Sequence, residues 1–364
     1  MNSINQTLLP KINNEALLNV FLYLIDRYKP ETGQTIRECV SNLEGVYNLG
    51  KDEWSDGEKR QIQILQNVMR RNSYLSDTVV KDIIHSNRGL TAGSFIHPDK
   101  AVSIVYRGTG TGEWVDNGEG LSGVAAVNTY FMYDSSGNAS DRLLIRDYAT
   151  MQQAEALNWF NMICAKNGWT EDTYITISGH SKGGNKAQFV NMHTDLADEC
   201  LTFHAQGFSP EAIRSFKRQY GSKFEPRQAR IMSFASENDC IHSLGHKVCL
   251  NEKIHYFKSK TGIHDIDGIL DEDGFLNDPC PRGMLAETVS NLSNEMMELN
   301  PVIRKQGAVG AMSIFQKYVS KDAPISGNEI SMKRTIAGMV FATGVMLHKL
   351  KMKYGDSNNE NPNK

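Results

Sequence analysis

Residues 173–187 read TYITISGHSKGGNKA, and this stretch leaves the chain few folds to choose from. Residues 173–177 are a β-branched and aromatic run suited to a buried strand, which breaks at Gly179 into a sequence able to open a helix. Ser181 sits on the break, within Gly179-His180-Ser181-Lys182-Gly183. A serine on so tight a strand-to-helix turn has strained dihedrals, and strand and helix nearly touch on either side of it. Side chains two residues before and after it would collide, so the turn requires glycine at 179 and 183. The helix beyond points its free N–H groups and its dipole at the serine, which favours an oxyanion there. The backbone N–H of Lys182 is the natural first donor. As sequence neighbours of the nucleophile, the His180 and Lys182 side chains point away from its hydroxyl and read as structural.

The rest of the chain supplies a sheet for this turn. With 364 residues it exceeds what one core needs, which allows one large α/β domain with appended helices, or two domains. Residues 16–28 read as a buried packing helix ending near Lys29-Pro30, and residues 35–44 as a second helix. A third is capped by Ser55 or Asp56, with Ile62, Leu65, Val68 and Met69 at helical spacing. Residues 76–85 suggest a fourth. Residues 1–90 therefore read as a helical lead-in without a titratable cluster of its own. Residues 91–96 and 101–107, separated by His97-Pro98-Asp99-Lys100, form a hairpin that starts the sheet. Residues 118–147 are rich in Gly, Ser, Asn and Tyr and long for an idle connection, so they are expected to form a mobile lid or a substrate-binding insertion. A helix over 148–167 leads into the serine turn. Strands at 201–205, 229–235 and 253–257, with a helix around 210–220, continue a β-α-β rhythm and imply a mostly parallel sheet with right-handed crossovers. This α/β core is expected over 91–283. A helical region follows over 284–354, with helices at 284–304, 310–319 and 328–354, and then a disordered polar tail over 355–364.

Composition removes several functions. A net charge of −3 and no basic arm leave nucleic-acid binding without its electrostatic source. Six cysteines without a C-x-x-C pair argue against a zinc site or a disulfide framework and for reduced thiols. The acidic run Asp265, Asp267, Asp271, Asp273 lacks the spacing of a calcium loop and reads as a turn at Asp273-Gly274. The N-terminus has no basic leader region or small-residue cleavage site, and the apolar run at 337–347 is about half a bilayer span. Neither end is expected to cross a membrane, and a cytoplasmic location follows as the expectation.

A serine hydroxyl is a poor nucleophile at neutral pH. It needs an imidazole as general base and a carboxylate to fix the imidazole tautomer. Asp239 follows the strand at 229–235, where the sheet delivers side chains to the edge that carries Ser181, with Glu237 as the nearest substitute. His264 lies on a loop beside Gly262 and has the reach. His242 and His246 are close to Asp239 in sequence, and His255 falls inside a strand. The order Ser181, Asp239, His264 is the one that α/β-hydrolase sheets impose.

Tyr106-Arg107-Gly108-Thr109 followed by Trp114, the GHSKGG run at 179–184, the strand leading into Glu237-Asn238-Asp239 and the later loop histidine together resemble the class 3 lipase group of α/β-hydrolases. They are more similar still to the related bacterial lipase-like families of unassigned function, over about residues 90–275. The resemblance implies hydrolysis of an ester or lipid substrate, with the segment after Trp114 as lid; a variant making transient contact with a membrane surface is also open. It also implies that Thr109 is the second oxyanion contributor, through its backbone N–H and hydroxyl, and that Asn117 orients that hydroxyl. A polar turn beside the serine can aim donors in the same way on physical grounds alone. Lys182 stands where those lipases carry leucine, which places a charge near the mouth of the site. The leading expectation is a serine esterase or lipase acting through an acyl-enzyme on Ser181, with no metal or organic cofactor. A thioesterase or amidase with the same triad remains open, as does a catalytically inactive hydrolase scaffold used for binding.

Overall fold

The computed structural model describes residues 4–50, 53–86, 89–109, 117, 120–121, 132–133, 139–140, 149–299 and 304. The expected lid at 118–147 lies outside them but for 120–121 and two short paired strands, β4 (Met132–Tyr133) and β5 (Ala139–Ser140). The helices expected at 310–319 and 328–354 and the tail at 355–364 also lie outside the described residues.

An eight-stranded sheet organises the described chain. Its order is β1 (Val79–His85), β2 (Thr91–Ile96), β3 (Val102–Tyr106), β6 (Ile175–His180), β7 (Glu199–Phe203), β8 (Ile231–Ser236), β9 (Ile254–Phe257) and β10 (Pro279–Cys280). Strands β3, β6, β7, β8 and β9 run parallel, with antiparallel pairs at both edges. Every residue of β3 and β6 is buried, as parallel strands covered on both faces must be. The register sets Tyr106 opposite Gly179, so the loop after β3 begins beside the turn that carries Ser181. This is an α/β-hydrolase-like sheet flanked by helices.

The helix expected over 76–85 is not there. A single turn at Ser73–Ser76, capped by the Asn72 side chain, gives way to β1. Val79, Val80, Ile83 and Ile84 pair with β2, and a waiting strand edge favours β-branched residues over a helix. The other expected helices form at Ile36–Asn48, Asp56–Met69, Met151–Asn167, Pro210–Tyr220 and Met284–Met297. The first two start at full capping boxes, Thr35 with Glu38 and Ser55 with Glu58.

One face of the sheet packs against Met151–Asn167, Lys182–His193 and Pro210–Tyr220. The other packs against α1 (Leu9–Leu24) and the two capped helices. In α1, Leu18, Val20, Phe21, Leu22 and Leu24 are completely buried, and burying each contributes about 1.5–3 kcal/mol. The N-terminal helices are therefore one of the two layers that close the sheet.

The N-terminal helices contribute one buried titratable group, Glu15, to a polar cluster shared with the sheet. This residue turns from α1 onto the sheet, where serines at 103 and 178 take the place of apolar side chains. The Ser178 hydroxyl donates to Glu15 Oε2 at 2.6 Å, and Ser103 hydrogen-bonds the other carboxyl oxygen. Ser103 also meets His97 Nε2 at 2.6 Å, and Thr78 meets His97 Nδ1 at 2.8 Å. Burial raises the Glu15 carboxyl above its ordinary value against the two serine bonds, and burial lowers His97 to about 4. Above the unfolded value of 4.5 the folded chain retains a Glu15 proton that the unfolded chain has lost. Stability from this group is therefore full at low pH and falls as pH rises toward the folded-state value. His97 acts in the opposite sense between about 4 and 6.5, because there the unfolded chain alone holds the proton. Glu15→Gln is expected to remove the Glu15 decline and leave the His97 rise. Urea midpoints measured from pH 4 to 8 check this, and a variant whose curve parallels the wild type contradicts it.

Candidate active site

Ser181 follows β6 and opens the helix Lys182–His193 with φ 58° and ψ −124°. Such a backbone costs a non-glycine residue on the order of 1–3 kcal/mol and is held only where its surroundings dictate it. Here the Ser181 N–H donates to Phe203 O at 2.8 Å, and its neighbours leave no room to relax. A Cβ at Gly179 would lie 2.3 Å from the Gly183 backbone, and one at Gly183 would lie 1.9 Å from Tyr106 O.

Three residues expected together are in contact. Ser181 Oγ lies 2.8 Å from His264 Nε2, and His264 Nδ1 lies 3.0 and 3.1 Å from the two oxygens of Asp239. Asp239, fully buried, also accepts the backbone N–H groups of Ile241 at 2.8 Å and His242 at 3.1 Å. A carboxylate so supplied with donors accepts the Nδ1–H of His264, which leaves Nε2 as acceptor for the serine proton.

The sheet delivers all three from strand ends. Ser181 follows β6, Asp239 lies three residues beyond β8, and the loop carrying His264 follows β9. The alternatives are engaged elsewhere. Glu237 accepts the Ser259 N–H at 3.0 Å, His242 Nδ1 meets Ala205 O at 3.1 Å, and His255 stacks on Phe234. His246 pairs through its backbone with Phe208.

Thr109 follows β3, and Asn117 Nδ2 donates to its hydroxyl at 2.8 Å. The same loop passes close to the serine, since a Cβ at Gly108 would lie 3.2 Å from Ser181 Cβ. Lys182 is corrected in one respect. Its side chain is fully buried, with Nζ 3.4 Å from where a Gly120 Cβ would stand, so its charge is enclosed and not open to solvent.

Several residues around the triad carried no local signal in the sequence. His180 Nε2 donates to the His264 carbonyl at 2.9 Å, and Ser236 Oγ donates to the Ile263 carbonyl. His204, fully buried at φ 54°, accepts the Ser236 N–H on Nε2 at 3.1 Å and sets its ring edge-on to His264. Burial holds both His180 and His204 far below the ordinary imidazole value, so neither competes for the proton. Behind Asp239, Lys247 donates to Ala205 O at 3.1 Å. Burial lowers its amine to about 7, with Asp239 opposing that fall.

Among the described residues, no three His, Cys, Asp or Glu side chains are grouped to hold a metal ion. No described helix is long and apolar enough to cross a membrane. A cavity of about 1000 Å³ opens at the opposite edge of the sheet, between Lys11, Glu15, Tyr74, His97 and Tyr174, away from Ser181.

The sheet and the strained serine turn define an α/β-hydrolase-like fold. No protein-family model matches the chain, and no curated protein matches it. Among solved structures it is similar to the crystal structure of Lip2 lipase from Yarrowia lipolytica at 13% identity, over 72% of this chain and 84% of that one, with a TM-score of 0.40. It is also similar to the crystal structure of M37 lipase at 13% identity, over 64% and 69% of the two chains, with a TM-score of 0.33.

Proposed function

We propose that the chain is a serine hydrolase of the class 3 lipase-like kind that cleaves carboxylic esters through an acyl-enzyme on Ser181. The observation that carries this reading is the unbroken line of hydrogen bonds from Asp239 through His264 to Ser181, ending on a strained turn at a helix N-terminus. In the first half-reaction His264 Nε2 takes the hydroxyl proton as Ser181 Oγ attacks the ester carbonyl. Asp239 stabilises the imidazolium so formed. The tetrahedral oxyanion is held by the backbone N–H of Lys182, with the N–H and hydroxyl of Thr109 as second contributor, the hydroxyl oriented by Asn117. Collapse breaks the C–O bond, and His264 returns its proton to the departing alkoxide. Water, activated by the same imidazole, then attacks the acyl carbonyl and frees Ser181.

The test is turnover of p-nitrophenyl esters of graded chain length beside a matched thioester and anilide. The reading expects ester cleavage that Ser181→Ala removes. Folded wild-type protein inert toward every ester would sink it, and thioester cleavage alone would move the substrate class.

A further inference from the structure

We propose that Tyr23 and His180 form a positioning pair that sets the His264 ring for proton transfer, making α1 part of the catalytic centre. This inference rests on the serine-hydrolase reading. His264 sits on a loop, so its ring direction depends on what fixes the backbone there. Two consecutive carbonyls of that loop are held from the sheet, Ile263 O by Ser236 at the end of β8 and His264 O by His180 at the end of β6. The bond to His264 O requires the proton on His180 Nε2, which leaves Nδ1 as an acceptor. Tyr23 OH lies 2.7 Å from that Nδ1 and donates to it. The hydroxyl thus selects the one tautomer of His180 that can hold the His264 carbonyl. The rings support the same arrangement, Tyr23 edge-on to His180 at 5.5 Å and His180 tilted against His264 at 5.1 Å.

Gly108 gives a second, independent observation. A Cβ there would fall 2.2 Å from Tyr23 OH as well as 3.2 Å from Ser181 Cβ. The hydroxyl therefore fills the space beside the loop that leads to Thr109, and it is seated between that loop and the His180 ring. With Tyr23 removed, His180 can take either tautomer, and in one of them the His264 carbonyl loses its donor. A base misplaced by a fraction of an ångström from its serine is slow, while substrate contacts remote from it are untouched.

The experiment measures ester kinetics and the rate of serine modification by a fluorophosphonate in wild type, Tyr23→Phe, His180→Gln, His180→Leu and Tyr23→Phe/His180→Gln. Tyr23→Phe deletes one oxygen, so the fold is retained. It is expected to lower kcat and the modification rate about tenfold with KM unchanged. His180→Gln keeps an N–H donor at the same reach. It is expected to retain more activity than His180→Leu and, because its donor no longer depends on a tautomer, to lose little more when Tyr23→Phe is added. Wild-type kcat and modification rate in Tyr23→Phe would overturn the proposal, as would losses confined to KM or to thermal stability. Wild-type protein that resists the fluorophosphonate would instead overturn the underlying reading, and this proposal with it.

Discussion

Ser181→Ala is expected to lower kcat for ester hydrolysis by about 10⁴-fold or more, and His264→Ala to come close to the same loss. In the proposed mechanism the two side chains act as one device. A serine without its base keeps its proton, and a base without its serine has only water to activate. Their effects should therefore not add, and the double variant should be no slower than the worse single one. Whatever rate remains comes from the groups left in place, above all the helix N-terminus beyond Ser181 and the Thr109 loop. Both variants leave strand and helix packing unaltered, so far-ultraviolet circular dichroism and urea midpoints should match wild type. A Ser181→Ala enzyme that keeps a tenth of wild-type kcat at equal stability would assign the chemistry to another residue.

Gly183→Ala is expected to have the largest effect on stability, a loss of about 3 kcal/mol or more. The added methyl would stand 1.9 Å from Tyr106 O and 2.7 Å from Tyr106 C, and both are backbone atoms of a buried strand. A side chain could rotate out of the way, but this backbone is fixed by pairing of β3 to β2 on one side and β6 on the other. The helix must back away from the sheet, and the turn holding Ser181 goes with it. Gly45→Ala provides the contrast, since nothing lies within 4 Å of its Cβ position in the helix Ile36–Asn48. That substitution is expected to be neutral or to stabilise by up to about 1 kcal/mol. Urea denaturation of the two variants checks the pair, and similar midpoints would contradict the steric account.

The grouping of Ser181, Asp239 and His264 was legible because each of the three is announced locally. Ser181 is flanked by glycines that only a strand-to-helix turn demands, and Asp239 and His264 follow strand-like runs in the order a parallel sheet brings to one edge. The cap Ser55 was readable for a similar reason, since a cap and its partner Glu58 lie within three residues of one another.

What the sequence withheld depends on contacts between distant segments. Tyr23 and His180 are 157 positions apart, and an apolar helix gives no sign of which hydroxyl will face an imidazole. Glu15 and Ser178 are 163 apart, so a buried carboxyl looks on paper like one more polar residue near a helix start. The strand at Val79–His85 was hidden because its pairs of β-branched residues fit either a helix face or a strand until β2 lies beside them. Lys182 was assigned to the mouth of the site because it stands where the resembling lipases carry leucine, and the sequence gives no sign that its side chain is fully buried.

The proposed chemistry requires one activated serine. The measurement that reaches it most directly is treatment of the folded protein with a fluorophosphonate, followed by peptide mass spectrometry to locate the adduct, for wild type and His264→Ala. A single adduct on the Ser181 peptide of wild type, lost or strongly slowed without the imidazole, is the predicted result. An adduct on another serine, equal modification of Ser181 in both proteins, or no adduct on folded wild type would contradict it.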